Sequence, residues 1–222
     1  MTSLNLYNNT RIAGQVRSDI TVIRSARNRG ELGRIIASLV LRNSPKDIEQ
    51  MRANFKEKIR DVTPEYRNRL EAKITEHLLG TWQSLRLMQH QGVFASMNEP
   101  VPDEVNCYWD MVAGQCRDDE DGDAIRLRFL KFLIAGFCMF VQHEPGHPAG
   151  TPFPGGDTVQ CIEGVYYCPV KEKANDVDSA LCSFCPALQT PVIGYLKPPV
   201  NGSELRKQEF IRNCYDFHNF NG

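Results

Sequence analysis

AIRLRFLKFLIAGFCMFVQHEPGHPAGTPFPGGDTVQCIEGVYYC, residues 124–168, contains a change of structural rule. Its first part reads as one helix, Ala124 to Gln142. The apolar run Phe129–Val141, FLKFLIAGFCMFV, is interrupted only by Lys131, is too short to span a bilayer and suits a buried helix. Then Pro145, Pro148, Pro152, Pro154 and the Gly155-Gly156 pair enforce irregular backbone. The last part reads as a hairpin, VQCI and VYYC around the two-residue turn Glu163-Gly164. Pairing Ile162 with Val165 sets Cys161 opposite Tyr166 and puts Cys168 on the same sheet face, diagonal to Cys161. A one-residue slip would remove that relation.

Upstream the pattern is helical. Residues 1–14 are polar and rich in Asn, and a loose or docked arm is expected there. From about Val16 to Leu41, Ile20, Ile23, Leu32, Ile35, Ile36, Leu39 and Val40 recur at helical spacing, with Gly30 and Gly33 as the expected break. Ser44-Pro45-Lys46-Asp47 supplies an N-cap, a first-turn proline and an acid for a helix to about Arg60. Thr63-Pro64-Glu65 repeats that signal for a long amphipathic helix to Gln91, stopped by Gly92. A further helix fits Asp103–Gln115. Downstream, Asp176–Cys185 is expected to hold a short helix, and Ser203 to cap a last one through Cys214.

The fold class is therefore mainly α, a helical body with a small β-hairpin, cysteine-bearing lobe. The divisions are residues 1–142 for the body, 143–200 for the proline-rich loop and cysteine lobe, and 201–222 for a C-terminal helix packing back on the body. In 222 residues, 41% hydrophobic and 24% charged with formal net charge −1, no whole-chain charge signal points to DNA, RNA or a membrane. No secretory signal opens the sequence, so a cytoplasmic location is expected and the eight cysteines read as thiols or ligands rather than disulfides.

Four of those cysteines fall in Cys161–Pro186, CIEGVYYCPVKEKANDVDSALCSFCP. Cys182-Ser-Phe-Cys185 is a CxxC pair, able to turn two sulfurs toward one centre, and Cys168 supplies a third. Cys161 is the first choice for a fourth ligand, with His147 and Cys214 as alternatives. The cofactor would be an iron–sulfur cluster or Zn, and prolines after Cys168 and Cys185 lean toward the cluster. Against this stand buried free cysteines in a reducing cell, or a redox dithiol lacking the usual βαβ context. Cys138 reads as a buried helix cysteine.

Other motifs fail on mechanism. His143-Glu144-Pro145-Gly146-His147 matches HExxH as a string, but Pro145 and Gly146 sit where a zincin helix must continue. Aligning Gly122 of RDDEDGD to a calcium loop puts Arg117 and Arg128 where oxygen ligands belong, so a solvated helix start is expected. P-loop, GxGxxG and GxSxG motifs are absent from the sequence. Arg11, Arg17, Arg24, Arg27, Arg29, Arg34 and Arg42 make the N-terminal third locally basic, which suits an RNA- or ribosome-associated protein or a solvated helix face. An enzyme with a cleft near His147 is the remaining alternative, and no catalytic residue is assigned.

The segments HPAGTPFPGG (147–156), VYYCPVK (165–171) and LCSFC (181–185) resemble an uncharacterised archaeal domain-of-unknown-function family, found mainly in methanogens. The resemblance implies a cytoplasmic, anaerobic setting tolerant of oxygen-sensitive clusters, and it carries no activity. The expectation is a metal- or iron–sulfur-binding protein whose lobe serves a structural, interaction or redox role, with a protein partner allowed.

Overall fold

The computed structural model describes residues 3–117, 121–172 and 179–191. The helices are α1 (Ser3–Arg24), α2 (Arg29–Val40), α3 (Pro45–Lys58), α4 (Pro64–His90), α5 (Glu104–Gln115) and α6 (Gly122–Phe137). The short strands β1 (Gln160–Ile162), β2 (Val165–Cys168) and β3 (Leu188–Gln189) follow.

α6 is the axis of the body because its second half, Phe132–Phe137, is apolar and buried on every side. Ile125, Leu130, Leu133 and Phe137 are buried, and α1, α2, α4 and α5 all pack on it. Each such side chain contributes about 1.5–3 kcal/mol by leaving water. The expected helix to Gln142 changes pitch on the way, since Cys138–Gln142 is a π-helical turn closed by His143 at φ 58. At its start, Asp121 accepts from the amides of Asp123 (3.1 Å) and Ala124 (3.3 Å). Asn9 Oδ1 takes the Gly122 amide at 2.9 Å, so the Asn-rich N-terminus is a docked helix rather than a loose arm.

The break between α1 and α2 precedes both glycines expected to cause it. Asn28 caps α2 by accepting from Glu31 N at 2.8 Å. Gly30 serves close approach instead: a Cβ there would lie 2.0 Å from Phe94 O, and Gly30 N donates to Met97 O at 2.9 Å. Ser44 and Asp47 do begin α3, Asp47 Oδ2 accepting from Ser44 N at 2.7 Å, and Gly92 at φ 68 ends α4.

The hairpin has the expected register, with Gln160 opposite Tyr167, Cys161 opposite Tyr166 and Ile162 opposite Val165. Glu163 (φ 50) and Gly164 (φ 81) are both left-handed, as a two-residue turn of this twist requires. β3 then adds parallel to β2, pairing Tyr167 with Leu188 and Cys168 with Gln189, a strand the sequence pattern did not reveal. Between them the expected short helix is a 3-10 segment, Ser179–Phe184. It docks the lobe on the body: Phe184 meets Tyr108 edge-on at 5.3 Å, and the Tyr108 hydroxyl donates to Phe132 O at 2.6 Å. The last expected helix, with Cys214, lies outside the described residues. No helix among them is long and apolar enough to cross a membrane.

Candidate thiol site and its surroundings

Cys168 ends β2 and is buried with Val159 and Ala187 in a small core of the lobe. Pro169 cannot extend the ladder, and Cys168-Pro169-Val170-Lys171 turns sharply, Lys171 N reaching Cys168 O at 3.5 Å. Within that turn the Val170 amide works against the burial that raises the Cys168 thiol. A backbone N–H beside a sulfur favours thiolate, the form that binds metal. Thr190 N donates to Cys168 O at 3.1 Å, so β3 holds the turn from the other side.

Cys182 and Cys185, both half-buried, come from the 3-10 segment and the residue after it, with Cys185 N on Cys182 O at 3.3 Å. Lys171 spans the site: its ammonium donates to Cys182 O and, at 2.6 Å, to Cys185 O. The cation thus fastens the Cys168 turn to the CxxC turn. Burial first, then the neighbouring Cys185 and Cys182, push the Cys168 thiol up, against the Val170 amide and Lys171. Burial and Cys185 likewise raise Cys182, with Lys171 opposing. The seven described cysteines are all free of disulfides. Among the described residues, no three His, Cys, Asp or Glu side chains are gathered as a ready metal site.

The fourth-ligand candidates fall in different places or outside the described residues. Cys161 has the expected register, opposite Tyr166, but is exposed. Cys214 is outside the described residues. His147 sits edge-on to Phe153 at 6.0 Å, in a second group that sequence reasoning missed. There the His77 ring nitrogen Nε2 is 4.0 Å from Cys138 Sγ, and Thr81 Oγ1 is 3.9 Å from the same sulfur. His77 and Thr81 stand four apart on α4, so one helix face carries both; that spacing was the available signal. Burial pushes Cys138 up to about 12, far from a reactive thiolate. Burial, then His147 and Lys73, hold His77 down to about 4, with Glu76 opposing. His147 is exposed, yet desolvation, then Lys131, lowers it too. Half-buried His77 thus stands beside a buried, inert thiol, with His147 exposed nearby. The helix has already ended at His143, so His143 and His147 do not share the helix face a zincin needs.

Several basic residues singled out in the N-terminal third are engaged within the chain. Arg24 pairs with Asp110, Arg29 with Glu99 at 3.0 Å and Arg42 with Asp19 at 3.0 Å. Those pairings weaken the reading of the N-terminal arginines as one RNA-binding track.

The profile of a family described as "Uncharacterized protein conserved in archaea (DUF2115)" matches residues 28–190, from the cap of α2 through β3 and the thiol site. A UPF0305 protein of Methanopyrus kandleri is 40% identical over 76 residues, 34% of this chain and 54% of that protein. One from Methanothermobacter thermautotrophicus is 55% identical over 70 residues, 32% of this chain and 45% of its own length. The matched stretches span about half of those two relatives. A relative in Methanocaldococcus jannaschii is 25% identical over 140 residues, 63% of this chain and 82% of its own. No solved structure matches the chain.

Proposed function

The chain belongs to the archaeal DUF2115 family, and from that premise we propose that its cysteine lobe binds a thiolate-seeking metal centre, zinc or an iron–sulfur cluster, through Cys168, Cys182 and Cys185. One observation carries the reading: the Cys168-Pro169 turn lies against the CxxC turn, Cys185 packing on the core that holds Cys168 and Lys171 fastening the two by donating to Cys182 O and Cys185 O. A cysteine turn beside a two-residue-spaced pair is a local arrangement by which short loops present thiolates to a metal. The sulfurs are not yet gathered at ligand spacing, so binding would draw them together, release their protons and tighten the lobe. The fourth position stays with Cys161, His147, Cys214 or an outside ligand. A closed zinc site would act structurally, whereas a cluster could also carry electrons.

Anaerobically purified protein, analysed for metals and by visible spectrum, tests this. The expected result is stoichiometric zinc with no visible band, or iron with sulfide and a broad visible absorbance. Either should be lost in Cys168→Ser and in Cys182→Ser but kept in Cys107→Ser, whose thiol is exposed on α5. Protein carrying neither metal, and taking up neither on reconstitution, refutes the reading.

A further inference from the structure

α2 and α4 end side by side, leaving an open basin of about 440 Å³ lined by Ser38, Leu41, Arg42, Arg86, Gln89 and His90. The lining offers two guanidiniums, an imidazole, an amide and a hydroxyl, and no carboxylate. Bases near helix C-termini often do no more than answer the helix dipole. Here the last carbonyls are already served. Asn43 Nδ2 donates to Leu39 O (3.1 Å) and Val40 O (3.3 Å), while Gln91 N and Gly92 N close α4 on Leu87 O (2.9 Å) and Gln89 O (3.3 Å). Both arginines are exposed. Arg42 holds Asp19 with one nitrogen and keeps 60% of its side chain exposed. Arg86 lies over the Trp82 ring, 5.6 Å from its centroid, which orients the guanidinium without neutralising it. Neither Arg86 nor His90 is paired with a carboxylate among the described residues. Gln89 Nε2 reaches Ser38 Oγ at 3.5 Å and links the two walls.

We propose that this basin is a binding site for a small phosphate-bearing anion, with Arg42 and Arg86 as its charged walls and Ser38, Gln89 and His90 as hydrogen-bonding contacts. Guanidinium forks match phosphate oxygens two at a time, and an open basin leaves the rest of a small phosphorylated molecule free to extend into solvent. The site is local rather than a polymer track, because Arg24 and Arg29 are engaged by Asp110 and Glu99. It does not depend on the thiol lobe.

Calorimetric titration of the full chain with inorganic pyrophosphate at low ionic strength, with the Arg86 Nε–Hε signal followed by NMR, tests the site. One saturable event is expected, weakened about tenfold or more by Arg86→Gln and lost when Arg42→Gln is added. Arg60→Gln should change nothing, since Arg60 pairs with Glu57 near the opposite end of α4. Arg86→Gln alone decides the matter if the double variant is poorly folded. The proposal is overturned by no saturation below about 10 mM, by an equal loss in Arg60→Gln, or by saturable binding of a short single-stranded RNA but not of pyrophosphate.

Discussion

His77 sits half-buried on α4 between Cys138, His147, Lys73 and Glu76, and its folded pKa of about 4 lies below the ordinary 6.5. Between those values the unfolded chain takes up a proton that the folded chain refuses. Stability linked to neutral His77 is therefore complete above about pH 6.5 and drains as pH falls toward about 4. The full shift corresponds to about 3 kcal/mol, and partial solvent access reduces the expected loss to about 1–2 kcal/mol. Urea unfolding of wild type and His77→Gln at pH 7 and pH 4.5 isolates it, because Asp47 and His147, also depressed, are present in both proteins. Wild type should lose more stability than the variant over that interval. Parallel losses would show that His77 charges as readily in the folded state. Cys168 works differently at the same scale: burial raises its thiol, so a metal that binds it must also displace a proton.

At the scale of elements, α2 enters the body through Gly30, where any Cβ would collide with a backbone oxygen rather than a side chain that could move. Gly30→Ala should cost about 2–4 kcal/mol in denaturant unfolding. Gly80→Ala, with nothing within 4 Å of its Cβ on α4, should instead stabilise by up to about 1 kcal/mol. If both changes act alike, the tight crossing of α2 with residues 94–97 is wrong. The helices themselves were legible because their signals are local: Ser44 and Asp47, Thr63-Pro64, Gly92, and the apolar length of α6. So was the hairpin register, since Glu163-Gly164 admits one tight turn. What escaped was non-local. Gly30 looks like a helix breaker until Phe94 is seen against it, and β3 pairs through only two residues across an intervening 3-10 segment. For the thiol site, spacing picked out Cys168, Cys182 and Cys185 but not Lys171, whose role depends on carbonyls 11 and 14 residues away.

Across the whole molecule, the lobe's aromatic mooring on the body is Phe184 against Tyr108. Tyr108 is itself enclosed by Trp109, Phe132 and Phe140, so the mooring point is rigid while the lobe's own core is small. Phe184→Ala should loosen the lobe and leave the helices in place. Amide exchange at 166–168 should accelerate by about tenfold or more while helical circular dichroism is retained. Simultaneous loss of both would mean that lobe and body open as one unit. Cysteine burial lets such events be timed without any added label site. Cys107 and Cys161 stand in solvent, whereas Cys116 is 1% and Cys138 0% exposed inside the body. A brief pulse of alkylating reagent followed by mass spectrometry would therefore stamp the outer thiols at once. It would stamp Cys116 and Cys138 only when the helices part, so the chain carries its own stopwatch for global opening.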